Sequence, residues 1–132
     1  MLQGVYVMYL MDTCALLWFL DDNGQLSEKA KDIIGKSDDL YFSIASLWEI
    51  AIKKTIRKLD IEESVTDIER ICDDYGISIL PIKTKYLERI QMLPMIHADP
   101  FDRLIMATAL EEGMKLITHD SKIQQYDVVL VW

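Results

Sequence analysis

Apolar residues recur along the chain in two alternating rhythms. The run "VYVMYLM" over 5–11 is unbroken and stops at Asp12, as a strand covered on both faces should. "CALLWFL" follows as a short helix closed at "DDNG", and Ser27 then caps a second helix over "SEKAKDIIGK". "LYFS" (40–43) is a second strand. A helix starting from Ser43 or Ser46 runs through "LWEIAIKKTIRKL", and Ser64 opens another with Ile68, Ile71, Cys72 and Tyr75 at helical spacing. "ISILPI" is a third strand and "KTKYLERIQML" a helix ending before Pro94. "DPFDRLIMATALEE" is the next helix, closed by Gly113, with "KLIT" (115–118) and "VVLV" (128–131) as the last strands.

Strands separated by helices predict a three-layer α/β/α domain around a parallel sheet of about five strands. No linker, repeat or low-complexity tract divides the chain, so residues 1–132 read as one domain. Such folds carry their sites at the carboxyl ends of strands, where the direction of winding reverses.

Composition narrows the classes. With 51% hydrophobic residues, 132 residues can bury a core. Cys14 and Cys72 form neither a disulfide framework nor a CxxC pair, which points to a reducing, cytoplasmic setting without structural zinc. The one apolar stretch long enough to draw notice, "VYVMYLMDTCALLWFL", falls short of the roughly 20 residues a membrane span needs and carries Asp12 in its middle. A net charge of −8 argues against a protein that coats nucleic acid. It does not argue against a nuclease, because two divalent ions bound to an acidic cluster would halve it.

Asp12 follows the first strand and Asp120 the fourth. Glu49 lies in the helix after the second strand, and Asp99 and Asp102 open the helix before the fourth. Each has a local explanation. Asp12 can cap the next helix, Ser46 and Glu49 match a capping box, and Asp120 suits a turn. Asp99 with Pro100 is a favoured helix start, with Asp102 at the third position able to reach back. Together, however, at least four carboxylates converge on one end of the sheet. That repulsion is relieved by a divalent cation, and oxygen ligands favour magnesium or manganese.

"MYLMDTCALLWFL", "SIASLWEIAIKK", "HADPFDRLIMATAL" and "LITHD" resemble, in order and spacing, the motifs of PIN-domain ribonucleases, most closely the VapC-like toxins of toxin–antitoxin modules. The resemblance covers nearly the whole chain. It implies a metal-dependent endoribonuclease whose acids fall on Asp12, Glu49, Asp102 and Asp120, binding one or two Mg²⁺ or Mn²⁺ ions. Asp12 and Asp102 are the expected direct ligands, with Glu49 and Asp120 direct or through water. Asp99, in the DPFDR form of the motif, is read chiefly as the helix cap and also stands as a candidate metal ligand. Thr13, Ser46 and Thr118 are the hydroxyls expected to orient the acids. "DTC" stands where many similar chains have DTH, so Cys14 replaces a histidine. Met8 resembles the usual start, leaving Met1–Val7 as a candidate extension.

An RNA substrate must also be held. Arg103, Lys53 and Arg57 are the expected RNA contacts, and Lys54 and Lys58 read as a solvated helix face. His97 and His119 flank the acids as potential helpers of the site and read chiefly as surface polar residues. The apolar residues Leu16–Leu20, Trp48, Ile52 and Ile56 are mostly core, with surplus suited to a homodimer seam or a partner helix. A VapC-like toxin implies an antitoxin covering the acids with a basic side chain. Two other readings remain at this point: an inactive PIN-like module that binds RNA or protein, and a phospho-acceptor receiver. The receiver wants an acid pair after the first strand and a lysine after the last, and the chain has neither.

Overall fold

The computed structural model describes residues 7–132. Residues 5 and 6 of the first predicted strand, and all of the candidate extension except Val7, lie outside the described residues. The elements are β1 (Tyr9–Met11), α1 (Thr13–Leu20), α2 (Glu28–Lys36), β2 (Leu40–Ser43), α3 (Ile44–Thr55), α4 (Val65–Asp74), β3 (Ile77–Leu80), α5 (Thr84–Ile90), α6 (Pro100–Glu112), β4 (Lys115–Ile117) and β5 (Leu130–Val131). All four strand pairings are parallel, in the order β3-β2-β1-β4-β5. The chain winds outward from β1 through β2 to β3, then returns to the other side of β1 as β4. The reversal therefore lies between β1 and β4, where the Asp12 amide donates to the Ile117 carbonyl (3.0 Å).

Alternation along the strands builds the three layers. Leu10 and Leu116 face one cluster with Tyr86, Ile105, Met106 and Ile123. Met11, Phe42 and Ile117 face the other with Leu16, Ile34, Ile50 and Ile68. Helices α5 and α6 cover the first face, and α1, α2 and α4 the second. Helix α3 contributes to both through Ala45 and through Leu47 and Ile50.

The local chemistry of the helix ends explains where the prediction holds and where it shifts. Ser27 and Ser64 cap as expected, and Gly113 closes α6 with φ 69°, a left-handed conformation that glycine adopts without strain. Ser43, not Ser46, caps α3, since its hydroxyl accepts from the Ala45 amide (3.0 Å). Ser46 lies inside the helix with a buried hydroxyl that lacks a partner, so neither its capping box with Glu49 nor an orienting bond to an acid forms. Helix α3 also ends at Thr55, short of the predicted "IRKL". Arg57 turns to φ 60°, placing Arg57 and Lys58 in the following loop.

Candidate active site

The carboxyl ends of β1 and β4 deliver the first acids. Asp12 leaves β1 as the N-cap of α1, its Oδ1 accepting from the Ala15 amide (2.7 Å) and its Oδ2 from the Thr118 hydroxyl at the end of β4. It is 7% exposed. Burial, opposed by those two hydrogen bonds and aided by the charges of Asp102 and Asp120, pushes its carboxyl up to about 6. Glu49 projects from α3, also buried. Its Oε1 accepts from the Thr13 hydroxyl (2.6 Å) and its Oε2 pairs with Lys53 one turn on (3.0 Å).

Helix α6 brings the second pair. Pro100 occupies the first turn and Asp99 caps the helix, its Oδ1 accepting from the Asp102 amide (2.9 Å). Asp102 does not complete the expected reciprocal box. Its Oδ2 lies instead 2.6 Å from Nε2 of His97. Burial comes first, and the charges of Asp99 and Asp120 add to it, so that Asp102 is also pushed up to about 6 despite the His97 bond. Asp120 uses Oδ1 to accept from the Lys122 and Ile123 amides (2.8 and 3.0 Å), while its Oδ2 stands 3.9 Å from His97 Nε2.

Asp12, Glu49, Asp99, Asp102 and Asp120 thus line one cavity of about 300 Å³, together with Thr13, Cys14, Trp18, Lys53 and His119. The local explanations and the site coexist, because Asp99 and Asp120 each spend one oxygen on a cap or turn and keep the other. Ligand atoms of His97, Asp102 and Asp120 fall within 4.8 Å of one another, a spacing that could hold a metal ion. Cys14 adds no cation where a histidine was replaced. Burial and the charge of Asp12 push its thiol up to about 11, so it stays protonated at neutral pH.

Several expected roles change. Arg103 does not reach substrate. It is 7% exposed, and its guanidinium is spent on the backbone carbonyls of Ile90, Leu93, Pro94 and His97. His97, read as a surface residue, is buried at 8% exposure; its place five residues before Asp102 was the available signal. Lys54 is no solvated charge, for its Nζ donates to the carbonyls of Ile61 (2.9 Å) and Glu63 (2.5 Å). Lys53 and Lys58, not Arg57, line the adjoining groove of about 440 Å³, which shares Thr13, Cys14, Trp18 and Lys53 with the acidic cavity. Trp48 and Ile56 are not core, at 58% and 53% exposed. No helix among the described residues is long and apolar enough to cross a membrane.

A doubly covered parallel sheet gathers these acids at its point of reversal, where folds of this class carry their sites. The PIN domain family matches residues 9–129, and the chain belongs to it. That membership sets the receiver reading aside. Among its relatives, ribonuclease VapC22 of Mycobacterium tuberculosis is 24% identical over 117 residues, covering 89% of this chain and 90% of that protein. In fold the chain is similar to VapBC2 from Rickettsia felis bound to a DNA fragment from its promoter. There the TM-score is 0.68 at 15% identity, covering 95% of this chain and 98% of that one. It is also similar to a toxin–antitoxin complex from Klebsiella pneumoniae, with a TM-score of 0.64 at 20% identity and coverage of 94% and 96%.

Proposed function

We propose that the protein is a Mg²⁺- or Mn²⁺-dependent endoribonuclease acting as the toxin of a toxin–antitoxin pair. The observation that carries this reading is the convergence of five carboxylates on one cavity, where Lys53 is the one full cation among the described lining residues. The donor set suits a divalent ion. Asp12 and Asp102 rise to about 6 chiefly through burial, with neighbouring carboxylates adding to it, and a bound cation offsets both. The oxygens are those that magnesium and manganese prefer. Asp12, Asp102, Glu49 and Asp120 would hold the ion or ions, with Asp99 as an adjoining acid.

A divalent cation bound there supplies an activated water and shields the phosphate charge during hydrolysis. The chain's own residues hold the donors still. Thr118 and the Ala15 amide fix Asp12, while Thr13 and Lys53 fix Glu49. Lys53 and Lys58 are the cations an RNA backbone would meet in the groove that opens into the cavity, set among Asp21, Asp60 and Glu63. Trp48, Ile44 and Ile56 leave apolar surface exposed on and beside α3, suited to an antitoxin or to a second copy of the chain. Both cysteines are free, in keeping with a cytoplasmic protein, and residues 1–132 are read as one domain.

The test is cleavage of a structured RNA by the purified protein. Cleavage with Mg²⁺ or Mn²⁺, its loss in EDTA and its return on adding the ion are expected. Metal binding without cleavage of any RNA would favour an inactive binding module.

A further inference from the structure

The segment between α5 and α6 is tied down by two polar side chains. Arg103 donates Nη1 to the carbonyls of Pro94 (2.9 Å) and His97 (3.2 Å) and Nη2 to those of Ile90 (3.0 Å) and Leu93 (3.2 Å). The Tyr126 hydroxyl accepts from the amides of Ile96 (3.1 Å) and His97 (2.8 Å) and donates to the Pro94 carbonyl (2.7 Å). The backbone of His97 is therefore held at both its N–H and its C=O. With that backbone fixed, the buried ring meets Asp102, Nε2 to Oδ2 at 2.6 Å.

The other ring nitrogen decides what this contact is. Nδ1 is buried and has no hydrogen-bond partner. A histidine that ligates a metal almost always donates its remaining N–H to an acceptor, which Nδ1 lacks here. Buried N–H groups without an acceptor are rarer than buried acceptors with an unused lone pair, which assigns the proton to Nε2. Nε2–H then donates to Asp102, and Oδ1 of Asp102 takes no hydrogen bond from the described residues.

We propose that His97 is a positioning residue of the cation site. Its Nε2–H bond fixes the Asp102 carboxylate and leaves Oδ1 for the ion, and the Arg103–Tyr126 clamp fixes His97. The proposal rests on the reading of the cavity as a divalent-cation site.

The experiment measures Mn²⁺ affinity of the full chain by the loss of the free Mn²⁺ resonance, alongside thermal unfolding without metal. His97→Leu removes the donor and is expected to weaken Mn²⁺ binding by about tenfold or more, the usual effect of losing a partner that orients a ligand. His97→Gln, whose amide can donate at nearly the same place, is expected to recover most of that loss. Tyr126→Phe, which keeps the ring and removes the bonds to the loop, falls between them and serves if His97→Leu fails to fold. Wild-type affinity in a folded His97→Leu protein overturns the proposal, as does equal weakening in the leucine and glutamine variants. Nitrogen coupling from His97 in the spectrum of bound Mn²⁺ also overturns it by making His97 a ligand. No Mn²⁺ binding by the wild-type chain overturns the cation reading itself, and this inference with it.

Discussion

Helices α4 and α6 begin with the same spacing, a capping side chain and an aspartate three residues on, and use it differently. At α4, Ser64 and Asp67 satisfy each other's backbone amides at 3.0 and 2.9 Å, and Asp67 lies in solvent beside Arg70. Its bonds to Ser64 hold its carboxyl below the usual range. At α6, Asp99 caps in the same way, but Asp102 turns away to His97 and is pushed up to about 6 by burial. Local pattern sets the cap in both helices. What makes one third-position acid a brace and the other a candidate ligand is where the helix start sits, at the sheet edge for α4 and over the β1–β4 reversal for α6.

The largest effect should separate these two aspartates. Asp102→Asn is expected to reduce RNA cleavage to background, because the amide is a poor magnesium ligand, while Asp67→Asn leaves it unchanged. Turnover assays on both purified variants check this. Glu49→Gln should follow closely, lowering turnover by roughly 100-fold or more while the far-UV spectrum stays native. Glutamine keeps an oxygen for the Thr13 hydroxyl and loses the negative charge.

The two helix starts should also respond oppositely to pH. Asp12 and Asp102 have folded values of about 6 against an ordinary 3.8. Their contribution to the metal-free protein's stability is thus fully present below about 3.8 and lost as pH rises through 6. Asp67, held low, contributes stability above its ordinary value and loses it as pH falls. Denaturant unfolding without metal should show wild type losing on the order of 5 kcal/mol between pH 4 and 7 relative to the Asp12→Asn/Asp102→Asn double variant. A flat difference would show that burial and neighbouring charge do not hold these two carboxyls above their ordinary range.

The smallest effect concerns Asp99. Asp99→Ala should cost about 1 kcal/mol, as loss of a cap does, while Asp99→Asn leaves stability and most activity intact. Severe loss of activity in Asp99→Asn would move Asp99 from the cap to the metal donors.

The contrast also marks what the sequence could disclose. Strand identities, the caps at Ser27, Ser64 and Asp99, and the gathering of acids at one sheet end were all legible, because each depends on periodicity or on neighbours a few residues away. Arg103 and His97 were misread for the opposite reason. An arginine beside a candidate ligand looks like a phosphate contact until the segment over 90–97 folds across it and takes four guanidinium bonds, with Tyr126 taking a fifth. His97 looks superficial until Tyr126, distant in the chain, anchors its backbone. Trp48 and Ile56 sit at helical spacing with core residues, yet both stay more than half exposed, Trp48 meeting Phe101 in an edge contact. Lys54 escapes its expected solvated face because the shortened α3 brings the carbonyls of Ile61 and Glu63 within its reach.

On the proposed reading Asp102, unlike Asp67, belongs to a divalent-cation site. Thermal unfolding of wild type, Asp67→Asn and Asp102→Asn, each in EDTA and then in millimolar Mn²⁺, tests it directly. Wild type and Asp67→Asn should gain the same upward shift with Mn²⁺. Asp102→Asn should gain little or none, and should start from a higher midpoint in EDTA because repulsion among the acids has been relieved. An Mn²⁺ shift in Asp102→Asn as large as that of wild type would contradict the claim.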